Sequence, residues 1–253
     1  TTTASVNVTY VYTVTANGCT NVNTFSVVVA VNPLPALSSS STPPSICSGT
    51  VFAYGPTSST TGATFAWSRA AVAGISNIAA NGTGNPNETL VNTTANAVDA
   101  IYVYTITANG CTNPTTFSVT ANVLPNPTLS SSSTPPTICS GNTFNYTPTS
   151  ATAGTSFSWT RAAVAGISNI ASLGTGDPNE ALYNTTSNPV NVTYIYTLSA
   201  NGCTNPSNFN VVVTVTPAPT LNSTLSPPAI CSGTTFNYTP TSSTPGASFA
   251  WTR

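Results

Sequence analysis

The stretch Val98-Asp99-Ala100-Ile101-Tyr102-Val103-Tyr104-Thr105-Ile106-Thr107-Ala108-Asn109-Gly110 decides the fold. Val98, Ala100, Tyr102, Tyr104 and Ile106 share one face of a period-two pattern, and Asp99, Thr105 and Thr107 lie on the other. β-branched and aromatic residues in that rhythm predict a strand. Asn109-Gly110 is the dipeptide that tight hairpins favour, because both positions tolerate positive φ. A return strand follows, carried by Phe117, Val119, Ala121 and Val123.

The hairpin recurs in both directions along the chain. Val190, Val192, Tyr194, Tyr196 and Leu198 copy it downstream, with Phe209, Val211, Val213 and Val215 returning. Val6, Val8, Tyr10, Tyr12 and Val14 copy it upstream. The interval is constant: 139 − 47 = 92 for Cys47 and Cys139, and 231 − 139 = 92 for Cys139 and Cys231. Cys19, Cys111 and Cys203 keep it, as do Trp67, Trp159 and Trp251, so this is a tandem array of one unit. Pro-rich joints at Asn32-Pro33-Leu34-Pro35, Leu124-Pro125-Asn126-Pro127 and Thr216-Pro217-Ala218-Pro219 separate the copies, since alternating Pro stiffens a linker and stops strands. The expected division is 1–34, the late part of one repeat; 35–126 and 127–218, two complete repeats; and 219–253, the early part of another.

Each repeat opens with shorter apolar pieces. Phe52/Tyr54 and Phe65/Trp67 are copied as Phe144/Tyr146 and Phe157/Trp159, each bounded by Pro, Gly and Ser-Thr clusters. The segment between Arg69 and Glu88 is Ala-, Gly- and Asn-rich and predicts irregular structure with one short strand at most. Helical periodicity is absent. The expected fold class is all-β: tandem immunoglobulin-like antiparallel sandwiches, with Trp67, Tyr102, Tyr104, Trp159, Tyr194 and Tyr196 as core.

Composition excludes several functions. Only 3% of the 253 residues are charged and the net charge is −1, against roughly a quarter charged in an ordinary domain. That is no footprint for nucleic acid or an anionic membrane. No apolar run approaches the ~20 residues of a spanning helix. His, Met, Lys and Gln do not occur, so neither a Lys-based isopeptide bond nor a Gln–Cys thioester is available. No metal or cofactor is expected. Six cysteines without His read as disulfides and not zinc ligands, which implies an oxidising compartment. Thr1 aligns with Thr93, mid-repeat, so any export signal is expected outside this stretch. The spacing leaves two pairings open. One closes each repeat on itself, Cys47 with Cys111 and Cys139 with Cys203. The other joins neighbours, Cys19 with Cys47 and Cys111 with Cys139.

Four segments in order carry a resemblance: Ile138-Cys139-Ser140-Gly141; Phe157-Ser158-Trp159-Thr160-Arg161; Gly174-Thr175-Gly176-Asp177-Pro178-Asn179-Glu180; and Tyr194-Ile195-Tyr196 leading to Asn201-Gly202-Cys203. The chain resembles the PKD-like, immunoglobulin-like repeats of large surface proteins from Bacteroidota. The resemblance implies export, by the type IX route, to an extracellular or cell-surface location, and a role in fibres, adhesion or gliding. It also favours the pairing within each repeat, because the family motif carries both cysteines in one module; Cys19 and Cys231 would then pair outside this stretch. Such a closure would contribute about 4 kcal/mol in the chain-entropy picture.

Arg69 and Glu88 recur as Arg161 and Glu180 and hold most of the charge of each repeat. Arg69 shares the parity of Trp67, so it leaves its strand on the core face and needs a partner, which Glu88 can be. Glu88 has no second carboxylate in repeat, because Asp99 and Asp177 do not align, so acid–base catalysis is not expected. The Asn-X-Thr sequons, at Asn7, Asn87, Asn184 and elsewhere, read as strand surface in a bacterial protein. Gly82-Thr83-Gly84 reads as loop glycines. The expected function is a structural segment of a long fibre or stalk, partnered by copies of itself or adjoining repeats of one chain. The alternative is a multivalent adhesin that displays a glycan-binding face many times over. An enzyme is not expected.

Overall fold

The structure, a computed structural model, describes residues 2–253. The chain divides into two compact units, Thr1–Pro125 and Asn126–Arg253. In the first, the strands are β1 (Val6–Tyr12), β2 (Thr15–Ala16), β3 (Cys19–Thr20), β4 (Phe25–Val31), β5 (Ile46–Cys47), β6 (Thr50–Phe52), β7 (Thr64–Arg69), β8 (Ala80–Thr83), β9 (Glu88–Leu90), β10 (Val98–Ala108), β11 (Cys111–Thr112) and β12 (Phe117–Leu124). In the second they are β13 (Ile138–Cys139), β14 (Thr143–Phe144), β15 (Ser156–Arg161), β16 (Ser172–Thr175), β17 (Glu180–Ala181), β18 (Val190–Ala200), β19 (Cys203–Thr204) and β20 (Phe209–Thr216).

Every strand pair but one in each sandwich is antiparallel. The main sheet runs β5-β12-β10-β7-β8, with β11 extending the hairpin end of β10. Its register sets Val98 opposite Val123 and Tyr104 opposite Phe117 on one side of β10, and Tyr104 opposite Trp67 on the other. The exception is β5, which runs parallel to the end of β12 and sets Cys47 opposite Leu124. A small sheet, β6-β9, covers the apolar face of the main one. The second unit repeats this as β13-β20-β18-β15-β16 covered by β14-β17.

Period two in β10 becomes burial. Ala100, Tyr102, Tyr104 and Ile106 are fully buried, and Val119, Ala121 and Val123 of β12 join them. The Asn109-Gly110 turn has φ of 49° and 79°, the paired positive values of a type I′ turn. Aromatic rings fill the space between the sheets: Phe52 lies 4.9 Å from Tyr102 and Trp67 meets Tyr102 edge-on at 5.3 Å. In the second unit Phe144–Tyr194 and Trp159–Tyr194 stand at 5.1 and 5.3 Å.

Tyr54, expected within a short strand, lies beyond the end of β6 and is held by Ser39, whose hydroxyl is 2.6 Å from its own. The segment between Arg69 and Glu88 does contain one strand, β8. Within it Gly82 pairs with Trp67, and a Cβ there would fall 2.7 Å from the indole. Gly82 is therefore a sheet residue that makes room for Trp67, not a loop glycine, and Gly174 does the same for Trp159.

Candidate functional site

The charged pair that recurs in each repeat lies between its two sheets. Arg69 ends β7, Glu88 begins β9 and Tyr102 lies in β10 in register with Arg69. The Arg69 side chain is fully buried. Its Nε donates to Glu88 Oε2 and its Nη2 to Glu88 Oε1, both at 2.9 Å. Nη1 donates to the Ala70 carbonyl at 3.1 Å and Nη2 to that of Ile78 at 2.7 Å. The Tyr102 hydroxyl donates to Glu88 Oε2 at 2.6 Å, and the guanidinium stands 5.9 Å from the centre of the Tyr102 ring. Arg161, Glu180 and Tyr194 repeat the set, with Arg161–Glu180 distances of 2.8 and 3.0 Å and Tyr194–Glu180 of 2.7 Å.

This geometry holds the carboxylate ionised. The Arg69 hydrogen bonds lower the Glu88 carboxyl below its ordinary value; burial opposes them and the Tyr102 hydrogen bond adds to them. For Glu180 burial is the largest influence and acts upward, but the bonds from Arg161, Tyr194 and Ser172 and the charge of Arg161 together outweigh it. Burial raises the Tyr102 and Tyr194 hydroxyls above theirs. Each carboxylate is thus saturated by a bidentate cation and a phenol. A general base needs a free lone pair facing a substrate, and these carboxylates face the core. The node ties three strands of two sheets together.

A second polar anchor lies at Asn92 and Asn184. Asn92 Nδ2 donates to the carbonyls of Asn96 and Val123, and its Oδ1 accepts from the Thr94 amide and hydroxyl, all within 2.7–2.8 Å. The Ser48 hydroxyl accepts from the Asn92 amide at 2.9 Å. Asn184 makes the same bonds to Asn188, Val215 and Thr186. Asn184 is buried, which corrects its reading as strand surface, whereas Asn7 and Asn87 are exposed. The anchor escaped sequence reasoning because its motif, Asn-Thr-Thr, looks like any other polar stretch; only its recurrence at 92 residues marks it.

The cysteine pairings within each repeat do not form. Cys47 and Cys203 are each disulfide-bonded, while Cys19, Cys111, Cys139 and Cys231 are free thiols. Topology is the reason. Cys47 sits beside Leu124 at one end of the sheet, and Cys111 beside Ala108 at the other. The 11 residues of β10 lie between, roughly 35 Å at about 3.3 Å per residue. A disulfide tolerates a Cα separation of at most about 7 Å. Cys139 beside Thr216 and Cys203 beside Ala200 stand in the same relation. The neighbour pairings fail too, since Cys19, Cys111 and Cys139 are free.

Among the described residues no cluster of three or more His, Cys, Asp or Glu could hold a metal ion, and no helix is long and apolar enough to cross a membrane. A shallow open concavity lies over Thr64, Phe65, Ala66, Thr83, Gly84, Thr105 and Thr107. It holds no charged group.

A family described as "PKD-like domain" matches residues 44–127 and 136–219. A search of the curated proteins finds no match. Among solved structures, mouse cadherin-23 EC22-24 aligns at 13% identity with a TM-score of 0.31, covering 84% of this chain and 74% of that one, too loosely to carry an argument.

Proposed function

The chain belongs to the PKD-like domain family, and on that premise we propose that it is a structural segment of a long extracellular fibre or stalk built from serial sandwiches. In this reading residues 35–126 and 127–218 are complete modules, and 1–34 and 219–253 are parts of adjoining ones. The modules partner further copies along the same chain, at a cell surface.

One observation carries the reading: the two modules repeat each other's principal internal contacts. The ion-pair node, the buried asparagine and the glycine over the indole all recur at an offset of 92 residues. An enzyme with a single active site needs one part that differs from the rest. An extended support needs the same part many times, each contacting its neighbours. An adhesive surface would need an exposed aromatic patch in each copy, but Tyr102, Tyr104, Tyr194 and Tyr196 are fully buried. The exposed Tyr183 has Val91 as its counterpart, so it is not repeated.

The test is electron microscopy of native surface material with an antibody raised against one module. Labels spaced evenly along fibres of constant width are expected. Labels confined to fibre tips would favour the adhesin, and labels on isolated particles would reject the array.

A further inference from the structure

We infer that each repeat is a force-bearing module, whose leading segment lies along its last strand as a clamp that tension loads in shear. In the first repeat the contacts form a row along β12, on the side away from β10. At its start Asn113 Nδ2 donates to the Pro35 carbonyl at 2.8 Å. Further on, the Thr120 amide donates to the Ser41 carbonyl at 2.9 Å. The Ser45 hydroxyl then donates to Asn122 Oδ1 at 2.9 Å. Ile46 and Cys47 stand in register with Val123 and Leu124, and the Ser48 amide donates to the Leu124 carbonyl at 2.8 Å. Both members of each contact advance together, so the two segments run the same way. The row covers 124 − 113 = 11 residue steps, roughly 35 Å at about 3.3 Å each.

The second repeat has its own row. Asn205 Nδ2 donates to the Pro127 carbonyl and the Val212 amide to that of Ser133, both at 2.9 Å. Ile138 and Cys139 stand in register with Val215 and Thr216, and the Ser140 amide donates to the Thr216 carbonyl at 2.8 Å. The leading segment is also held on its other flank. In the first repeat the Ser38 amide donates to the Thr57 carbonyl at 2.8 Å and the Thr57 amide to the Ser39 hydroxyl at 3.1 Å. Leu37 and Ile46 pack against the core, so sliding the segment would draw both out of it.

Parallel direction decides what tension does. The chain enters the first module at Pro35 and leaves it at Leu124, at opposite ends of the row. Pulling on the two sides slides the leading segment past β12 along the strand axis. All the contacts are then strained together, and none opens before the others. Were the two segments antiparallel, entry and exit would share one end and the contacts would peel apart singly. The one parallel strand pair of each sandwich is thus set where the load enters and leaves. This deepens the fibre reading, on which the direction of load rests. Stretching the chain itself tests the clamp without the fibre, so a clamp that failed would leave the fibre reading standing.

The 253-residue chain is held by its ends at constant force, in reductant so that no disulfide shields a module from the load. Residues 35–124 number 124 − 35 + 1 = 90, and each module should yield in one step of roughly 270 Å, its extended length less its folded length. Asn113→Ala with Asn205→Ala removes the first contact of both clamps. The lifetime before yielding should fall about fivefold, the worth of one hydrogen bond. Asn77→Ala with Asn169→Ala is the matched control. Asn113 and Asn205 each bond two backbone groups through the side chain, and so do Asn77 and Asn169, but away from the clamp. The control pair should cost as much stability in urea and leave the lifetime under force unchanged. Equal shortening by both pairs, or by neither, would overturn the clamp. Moving the second handle from the C-terminal end to Gly110, at the Pro35 end of the row, gives an independent reading on the unaltered contacts. The load then peels instead of shearing, and the first module should yield at a lower force. An equal or higher force would also overturn the clamp.

Discussion

Two hairpins in the first unit have the same plan and opposite surroundings. In β1–β4, Val6 pairs with Val31 and Tyr12 with Phe25; in β10–β12, Val98 pairs with Val123 and Tyr104 with Phe117. The registers coincide residue for residue at an offset of 92. Yet Tyr10 and Tyr12 are 52% and 53% exposed, while Tyr102 and Tyr104 are at 0%. The alternation and the Asn-Gly turn build the ladder locally. Burial comes from β6 and β9, which pack over one hairpin, and from β7, which pairs alongside it; β1–β4 has no such neighbours among the described residues. The converse holds at the far end. Residues 219–253 carry the early part of a repeat and form no strand, although β13–β15 arise from the matching sequence. Their local contacts persist: the Ser223 and Tyr238 hydroxyls lie 2.8 Å apart, as Ser131 and Tyr146 do at 2.7 Å. The register of the hairpin is thus set by its own two strands, and its burial by the rest of a repeat.

The largest break in this comparison comes from truncating matched tyrosines. Tyr102→Ala should destabilise the first sandwich by about 4 kcal/mol through lost packing and a cavity, and Tyr10→Ala should cost almost nothing in the 253-residue chain. Urea unfolding of both variants measures the difference, and equal costs would mean that burial does not separate the hairpins.

Arginines offer a second matched pair. Arg161→Leu strands a carboxylate and a phenol in the core and should cost about 3 kcal/mol. Arg253, at the same place in the period, is exposed, and Arg253→Leu should leave the melting temperature unchanged. If Arg161→Leu also left it unchanged, the node would be ornamental.

Glycine over indole is a smaller effect. Gly174→Ala puts a Cβ 2.6 Å from the Trp159 ring, and overpacking of this kind costs about 2 kcal/mol. Tryptophan fluorescence should report the displaced ring. An unshifted spectrum with full stability would show that the sheet edge yields instead.

The smallest effect is that of pH near neutrality. Glu88 and Glu180 have folded-state values below the ordinary 4.5, so their contribution is present above that pH and is lost as pH falls below it. Tyr102, Tyr104, Tyr194 and Tyr196 are raised above 10.0, burial being the largest cause. Their contribution is complete below pH 10 and is lost as pH rises beyond it. The melting temperature should therefore be flat from pH 6 to 9 and fall on both sides. A slope within that window would show that a group other than these carboxyls and phenols changes its protonation on folding.

The chain's own residues determined the repeat, the hairpins, their registers and the tyrosine face, because these depend on neighbours two residues apart and on turn conformation. The parity of Arg69 was legible for the same reason. The tertiary structure alone decided the rest. Gly82 looked like a loop glycine until β8 paired with β7 and set it against Trp67. Asn184 looked like surface until its side chain met the Val215 carbonyl. The cysteines, alternately 28 and 64 residues apart, fit several pairings on paper. Which of them can bond depends on which end of a sheet roughly 35 Å long each occupies, and a linear interval holds no record of direction once the chain turns back on itself.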